Sequence, residues 1–449
     1  MYAIIVVEHT SNNYGQATMI NVDTGEYYRH YQGEYLSIYL KERLESKIEL
    51  SNGIFIAILL FILIITFNIS KPVFANSTII NSPPQEETIQ YSQKDFQNDI
   101  TKKYKTSLVN YPTDGIAHIK KIKYINSKPI KINIVEISTA VNQNLTIKPT
   151  IASSTLNHKT TVRKMAQTEK AIVGINAGYF KPQTGVPLGA LVIDNKVLTG
   201  PIYNRVGIGF FEKDGNISYA IDNVGVDILA YTKSSTLQID NINQPRMSQN
   251  YTLMYTQDWG TISPPPPKNG YNMLISQNFI TKISANPIPI GKDEIVVSSS
   301  KEKISNFAKD KEVYINIDVT GKLKNANHII AAGPYLVKNS EVYVDIKKQK
   351  FEAIAGKNPR SAIGYTEEGN LIIVTIDGRE KSSVGMTLKE LAVLMKSLGC
   401  TDAMNFDGGS SSALFVGNKI VNNAINKEGA LVSNSLIIKE EPNALVSSL

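Results

Sequence analysis

The sequence predicts an α+β protein: a mixed, β-sheet-rich single catalytic domain with packed helices, preceded by an export or anchor segment and a linker. Three observations predict it. Short alternating or wholly apolar runs recur from about Gly115 onward, separated by Asn, Asp and Gly, the turn-forming residues. One segment, Thr387 to Gly399, carries helical periodicity with both of its ends marked. A lone apolar run of about 14 residues, Ile54 to Phe67, stands ahead of a polar stretch.

The chain has 449 residues, enough for one large domain or two ordinary ones plus tails; its 42% hydrophobic and 19% charged residues suit a substantial core. Net charge is +7, with the basic residues read as scattered and not as an arginine-rich face. That fits mild attraction to anionic envelope glycans or a lipid surface and argues against nucleic acid. The single cysteine, Cys400, has no intrachain disulfide partner and reads as a buried thiol. The five histidines show no metal-ligand spacing, and no acidic cluster demands Ca²⁺ or Mg²⁺. No cofactor is required by the sequence, and a divalent cation beside the carboxylates stays an open expectation.

Taken in order, residues 1–52 form an N-terminal extension with a strand-like Tyr2 to Val7 and a turn at Asp23-Thr24-Gly25. Residues 53–75 are a signal peptide or membrane anchor. The apolar run is short of the roughly 20 residues a spanning helix needs. Lys41, Arg43 and Lys47 precede it, and Val73-Phe74-Ala75 has the small residues of a cleavage site. The long stretch upstream implies either a translation start later than Met1 or an uncleaved anchor through residues 53–73. An extracytoplasmic location, anchored or secreted, is expected. Residues 76–112 are polar and contain Pro83-Pro84, so they read as a flexible linker.

Residues 113–440 form the catalytic domain and 441–449 a tail. Strands are expected at Ile116 to Ile125, Ile132 to Val141, Ala171 to Ile175, Val206 to Phe211 and Ile217 to Ile221. Leu191 to Leu198 reads as a hairpin turning at Asp194-Asn195. Pro264 to Pro267 reads as a surface loop, since proline cannot join a central ladder. Leu371 to Ile376 is a strand ending in Asp377-Gly378-Arg379. A helix follows. Thr387 caps it with Glu390 three residues on, a capping box. Leu388, Leu391, Ala392, Leu394, Met395 and Leu398 form its buried stripe, and Gly399 ends it. The strand Thr401 to Phe406 then delivers Asp407-Gly408-Gly409-Ser410. A last hairpin turns at Gly417-Asn418, and Leu431 to Ile438 closes the domain. Two strands one helix apart thus each end in Asp-Gly, and parallel strands would bring Asp377 and Asp407 to one sheet edge.

Four segments stand together in order: Gly174 to Phe180, Asn358 to Gly364, Val374 to Arg379 and Asn405 to Ser411. With weaker echoes at Asn243 to Arg246, Tyr255 to Gly260 and Ala332 to Val337, this set resembles the phosphodiester glycosidase family. The resemblance spans roughly residues 115–440. It implies an exported hydrolase that cleaves a sugar-1-phosphodiester, such as an N-acetylglucosamine-1-phosphodiester, at the anomeric C–O bond, in cell-envelope or exopolysaccharide metabolism. Gly408-Gly409-Ser410 stands where the family often has three glycines, and Ser361 where threonine is common.

The chemistry assigns roles. Breaking a glycosyl phosphate bond develops positive charge on the sugar and leaves an anionic phosphate. Asp407 and Asp377 are the candidate catalytic carboxylates. Each is also a normal residue to cap a turn before glycine. Arg360, set by Pro359, would present a guanidinium fork to phosphate, with Arg379 a second candidate. Asn176 and Ser361 are suited to sugar hydroxyls or phosphate. Gly178 and Gly378 permit close backbone approach, and Gly408, Gly409 and Ser410 would cradle the leaving phosphate with N–H and hydroxyl donors. Trp259, the only tryptophan, is a candidate sugar platform or a core residue. Tyr179 and Phe180 read as core. Two other functions fit the same residues: a phosphodiesterase cutting the P–O bond, and a non-catalytic protein that binds envelope glycans.

Overall fold

The computed structural model describes residues 91–441, apart from 106, 309 and 427, together with three strands within the first 32 residues. The apolar run Ile54 to Phe67 lies outside the described residues. Among the described residues no helix is long and apolar enough to cross a membrane. In the N-terminal unit, Ala3–His9, Gly15–Asn21 and Tyr27–Gln32 pair as an antiparallel meander. The first of these is the strand expected at Tyr2 to Val7.

The unit from Ile89 onward centres on an eight-stranded sheet. Its middle strands are Cys400–Asn405, Arg360–Thr366, Leu371–Ile376 and Lys128–Ile137, side by side in that order and all antiparallel to their neighbours. One face packs on two five-stranded sheets through residues such as Leu371, Ile373, Ile175, Leu436 and Ile330. The other face packs on helices through Ile372, Val374 and Ile376. Period-two alternation sends successive side chains to opposite faces, and both faces are covered, so every residue of Leu371–Ile376 is buried. That is why this strand is apolar at every position but Thr375. With 45% strand against 13% helix, the protein is β-rich with few helices.

The helix α1, Gln93–Lys103, and the strand Leu108–Thr113 lie in the second half of the stretch that the sequence assigns to a linker, residues 76–112, and that half is folded. The polar composition of α1 hides a narrow seam. Only Phe96, Ile100 and Tyr104, four residues apart, reach the core. Short α2, Val162–Thr168, and α3, Lys301–Phe307, pack in other clusters. Helix α4, Leu388–Ser397, matches its expectation in full. The Glu390 N–H donates to the Thr387 hydroxyl (3.1 Å), and the Thr387 N–H donates to the Glu390 carboxylate (2.8 Å). Cys400 is buried against this helix layer, which pushes its thiol up to about 12 and leaves it unreactive.

Both expected hairpins turn where read, with positive φ at Asp194 and Asn195 and at Gly417 and Asn418. The strands that deliver Asp377 and Asp407 do run in the same direction, but they are not neighbours: Arg360–Thr366 lies between them, antiparallel to both. The start of that strand, at Pro359-Arg360, therefore shares an edge with the ends of the other two.

Losing the Thr387 cap is expected to cost about 1 kcal/mol. Urea denaturation of Thr387→Ala beside the wild type measures it, and an unchanged midpoint would show that Glu390 alone holds this helix start.

Candidate active site

Asp407 leaves the end of Cys400–Asn405 and is held by a clamp from the neighbouring five-stranded sheet. Its N–H donates to the Ala177 carbonyl (2.8 Å), and its own carbonyl accepts the Asn176 side-chain amide (2.6 Å). The other end of that carboxamide is also occupied. Asn176 Oδ1 accepts the Ser361 hydroxyl (2.7 Å) and the Ala413 N–H (3.1 Å). Asn176 and Ser361 are both buried. They position Asp407 and are not placed to meet substrate, a correction to their expected role.

The carboxylate is half-buried on a cavity of about 470 Å³. Its charged lining consists of Asp407 with Lys159, Arg360 and Arg379; Tyr179, Asn358 and the segment Gly408 to Ser411 complete the nearby wall. Burial pushes the Asp407 carboxyl up from 3.8 to about 6, against the opposing pull of the Ser411 hydroxyl, the Gly408 N–H and the Arg205 charge.

The glycine cradle differs from the expectation. The Gly408 N–H donates to Asp407 Oδ1 (2.9 Å) and the Gly409 N–H to the Pro359 carbonyl (2.9 Å), so both are already spent within the protein. Gly409 has φ +61°, and a side chain on Gly408 would meet the Pro359 oxygen at 3.0 Å. These glycines let the turn press against Pro359-Arg360. Ser410 is the exposed residue of the turn and lines the cavity.

Arg360 is 1% exposed. Its Nε donates to the Met386 carbonyl (2.9 Å), and Nη2 donates to the carbonyls of Ile354 (2.6 Å) and Gly356. The fork expected for phosphate is thus largely spent on main chain, leaving Nη1 uncommitted among the described residues. Burial draws the guanidinium down to about 10, so it stays charged at neutral pH. It forms no ion pair among the described residues. A buried cation solvated only by carbonyls favours an anionic ligand. Arg379, exposed and at φ +64°, lays Nε (3.3 Å) and Nη2 (2.9 Å) on Asn358 Oδ1.

The remaining candidates are elsewhere. Asp377 lines a different cavity, where Oδ1 accepts the Asn423 N–H (2.9 Å). Among the described lining residues Asp407 is the only carboxylate of the first cavity. Gly378 serves packing, since a side chain there would meet Pro359 N at 2.7 Å. The Gly178 N–H donates to Asn434 Oδ1 (2.7 Å). Trp259 packs edge-on against Tyr255 in a core cluster, with ring centroids 5.1 Å apart, and is not part of this cavity.

Sequence reasoning missed Lys159 and Asn358 as lining residues, and it discounted Tyr179. The Tyr179 hydroxyl donates to the Gly333 carbonyl (3.0 Å) and accepts from Asn405 Nδ2 (2.9 Å). Arg205 was also missed. It is buried among the rings of Tyr179 (5.0 Å) and Phe351 (4.6 Å), and it is the cation that acts on Asp407. No local pattern marks Lys159 or Arg205; the Asn-Ala-Gly-Tyr context of Tyr179 was the one available signal.

Residues 269–439, which carry Arg360, Asp377 and Asp407, match the phosphodiester glycosidase family. The match covers 171 of the chain's 449 residues. Lys159, Asn176 and Tyr179 come from outside the matched stretch, so the family segment does not build the cavity alone. The SPbeta prophage-derived uncharacterized protein YomE of Bacillus subtilis strain 168 is 36% identical over 115 residues, which is 25% of this chain and 18% of that one. The match therefore spans under a fifth of that relative. A hypothetical protein from Synechocystis superposes with a TM-score of 0.67 at 22% identity, over 74% of this chain and 63% of its own, and shares the fold. The catalytic domain of zebrafish N-acetylglucosamine-1-phosphodiester alpha-N-acetylglucosaminidase, auto-inhibited by its pro-peptide, aligns at a TM-score of 0.40 and 16% identity, over 75% of this chain and 88% of that one. That likeness is too loose to bear on the reaction.

Two outcomes are expected. Asn176→Ala leaves the buried Ser361 hydroxyl and Ala413 N–H without an acceptor, and should destabilise the fold by about 3 kcal/mol in chemical denaturation. Asp407→Asn should stabilise it in a pH-dependent way. The carboxyl's pKa is raised by folding, so its contribution is full below pH 3.8 and is lost as pH rises through about 6. The variant should exceed the wild type by up to about 3 kcal/mol above pH 6, and the gap should close near pH 4. A pH-independent gap in thermal melts would show that the carboxylate is not strained by burial.

Proposed function

We propose that this protein is a hydrolase that cleaves a glycosyl phosphodiester at the anomeric C–O bond, with Asp407 as its catalytic carboxylate. One observation carries the reading: a single half-buried carboxylate shares its cavity with three cationic side chains, Lys159, Arg360 and Arg379. When the C–O bond breaks, its electron pair leaves with the phosphate and the sugar becomes oxocarbenium-like. A phosphate monoester is a far better leaving group than an alcohol, so no second carboxyl is needed to protonate it. The cations receive the departing anion, and the carboxylate meets the positive charge on the sugar.

Asp407 acts in its ionised form, so kcat/KM should rise with pH through about 6. The apolar run Ile54 to Phe67, with Lys41, Arg43 and Lys47 before it, supports a substrate outside the cytoplasm, in the cell envelope or its exopolysaccharide.

Hydrolysis of a panel of sugar-1-phosphodiesters in heavy-oxygen water tests this. The label should enter the sugar. Label in the phosphate would mean P–O cleavage and would remove the glycosidase reading. An inverted anomer assigns Asp407 as base toward water, and a retained anomer assigns it as nucleophile. Asp407→Asn should lower kcat/KM on the order of 10³-fold; near-normal turnover by the folded variant would exclude it as the catalytic group.

A further inference from the structure

We propose that a second cavity, adjoining the turn Asp377-Gly378-Arg379, binds a phosphate-bearing polyol or glycan chain continuous with the group held at Asp407. The proposal rests on the glycosyl phosphodiester reading of the first cavity.

The second cavity has a volume of about 520 Å³. Lys120, Lys121 and Lys131 line it, with Asn422, Asn423 and Asp377. The lysines come from the hairpin of Ile116–Ile125 and Lys128–Ile137, which also carries Lys123 and Lys128. From Gly115 to Val135 the sequence has five lysines and no acidic residue. Five of the chain's 47 basic residues therefore stand together on one hairpin, while the rest are scattered. None of the five forms an ion pair among the described residues, and Asp377, which the Lys131 charge helps to keep ionised, is the one carboxylate of the described lining. Lysine is a point-charge donor suited to phosphate.

The acid in this setting identifies the rest of the ligand. Asp377 is 5% exposed and is held by the Asn423 N–H and by the Ser383 hydroxyl on its own carbonyl (2.6 Å). A fixed carboxylate beside side-chain amides accepts hydroxyls and repels a bare anion. Lysines for phosphate together with acceptors for hydroxyls match a chain in which the two alternate. Leu108 and Ile122 at the same cavity are exposed, so a lipid surface bearing the same glycerol phosphate chemistry is an arm of the test.

The two cavities are lined by neighbouring stretches of chain. Arg379 lines the first and Asp377, two residues earlier, the second. Asn422 of the second donates to the Ser412 carbonyl (3.0 Å) and accepts the Leu414 N–H (2.8 Å), directly after the turn that lines the first. A chain cleaved at Asp407 can thus be held by its next charged unit.

Isothermal titration of the full chain with a synthetic glycerol phosphate hexamer tests the site. Lys120→Gln/Lys121→Gln/Lys131→Gln is expected to weaken binding about tenfold, from three lost charge contacts. Lys123→Gln/Lys128→Gln, on the same hairpin but outside the cavity, should weaken it less than about twofold. Unchanged affinity in the triple variant would overturn the proposal. So would an equal loss in the double variant, which would mean diffuse attraction, or binding to phosphatidylglycerol vesicles with none to the hexamer. Turnover of the sugar-1-phosphodiester panel by the wild type separates this from the first reading, since the hexamer itself carries no anomeric bond to cleave. Lysine-dependent binding without any sugar release keeps the second cavity and removes the hydrolase; sugar release without lysine-dependent binding does the reverse.

Discussion

The carboxamide of Asn176 is the contact on which the site depends. It ends a buried strand that pairs on both sides within its own sheet. From there it reaches the adjacent sheet at the Asp407 carbonyl and the Ser361 hydroxyl, and it also takes the Ala413 N–H beside its own sheet. A primary amide has donors at one end and acceptors at the other, so one side chain can satisfy main chain and hydroxyl from separate segments. Because the group is buried, each of those bonds has no water to replace it. Asp407 is held where two sheets meet, on rigid elements, with its carboxylate left for chemistry.

The electrostatics follow from that burial. Desolvation disfavours the ionised carboxyl, and the nearby cations and hydrogen bonds only partly offset it. Arg360 is in the complementary condition, a charge held among carbonyls. Both are charges held in place by the fold before any ligand arrives. Arg205, wedged between aromatic rings, adds a fixed cation behind the carboxylate.

The separation of Asp377 from Asp407 changes the chemistry expected of the family segment. Both end strands that run in the same direction and each precedes glycine, so they look equivalent along the chain. The intervening strand Arg360–Thr366 keeps them apart, and their loops line different cavities. One carboxylate suffices where the leaving group is already a phosphate, whereas a glycosidase acting on an alcohol leaving group needs an acid as well.

Much of the fold was determined by the sequence alone. The α4 capping box, its apolar stripe, the two positive-φ hairpin turns and the buried strand Leu371–Ile376 all depend on interactions within a few residues, and such interactions are written in local order. The polar helix α1 escaped because its buried seam is only three residues wide. Asp407 was legible as a carboxylate at a strand end. What its neighbours do was decided by tertiary structure. Asn176 and Asp407 meet across 231 positions, Arg360 spends its donors on carbonyls of a nearby turn and of Met386, just ahead of the α4 cap, and Lys159 and Arg205 carry no local mark. Side-chain direction and hydrogen-bond partnership across such separations are set by how sheets stack, and stacking follows from burial summed over the whole core and not from any one segment's sequence.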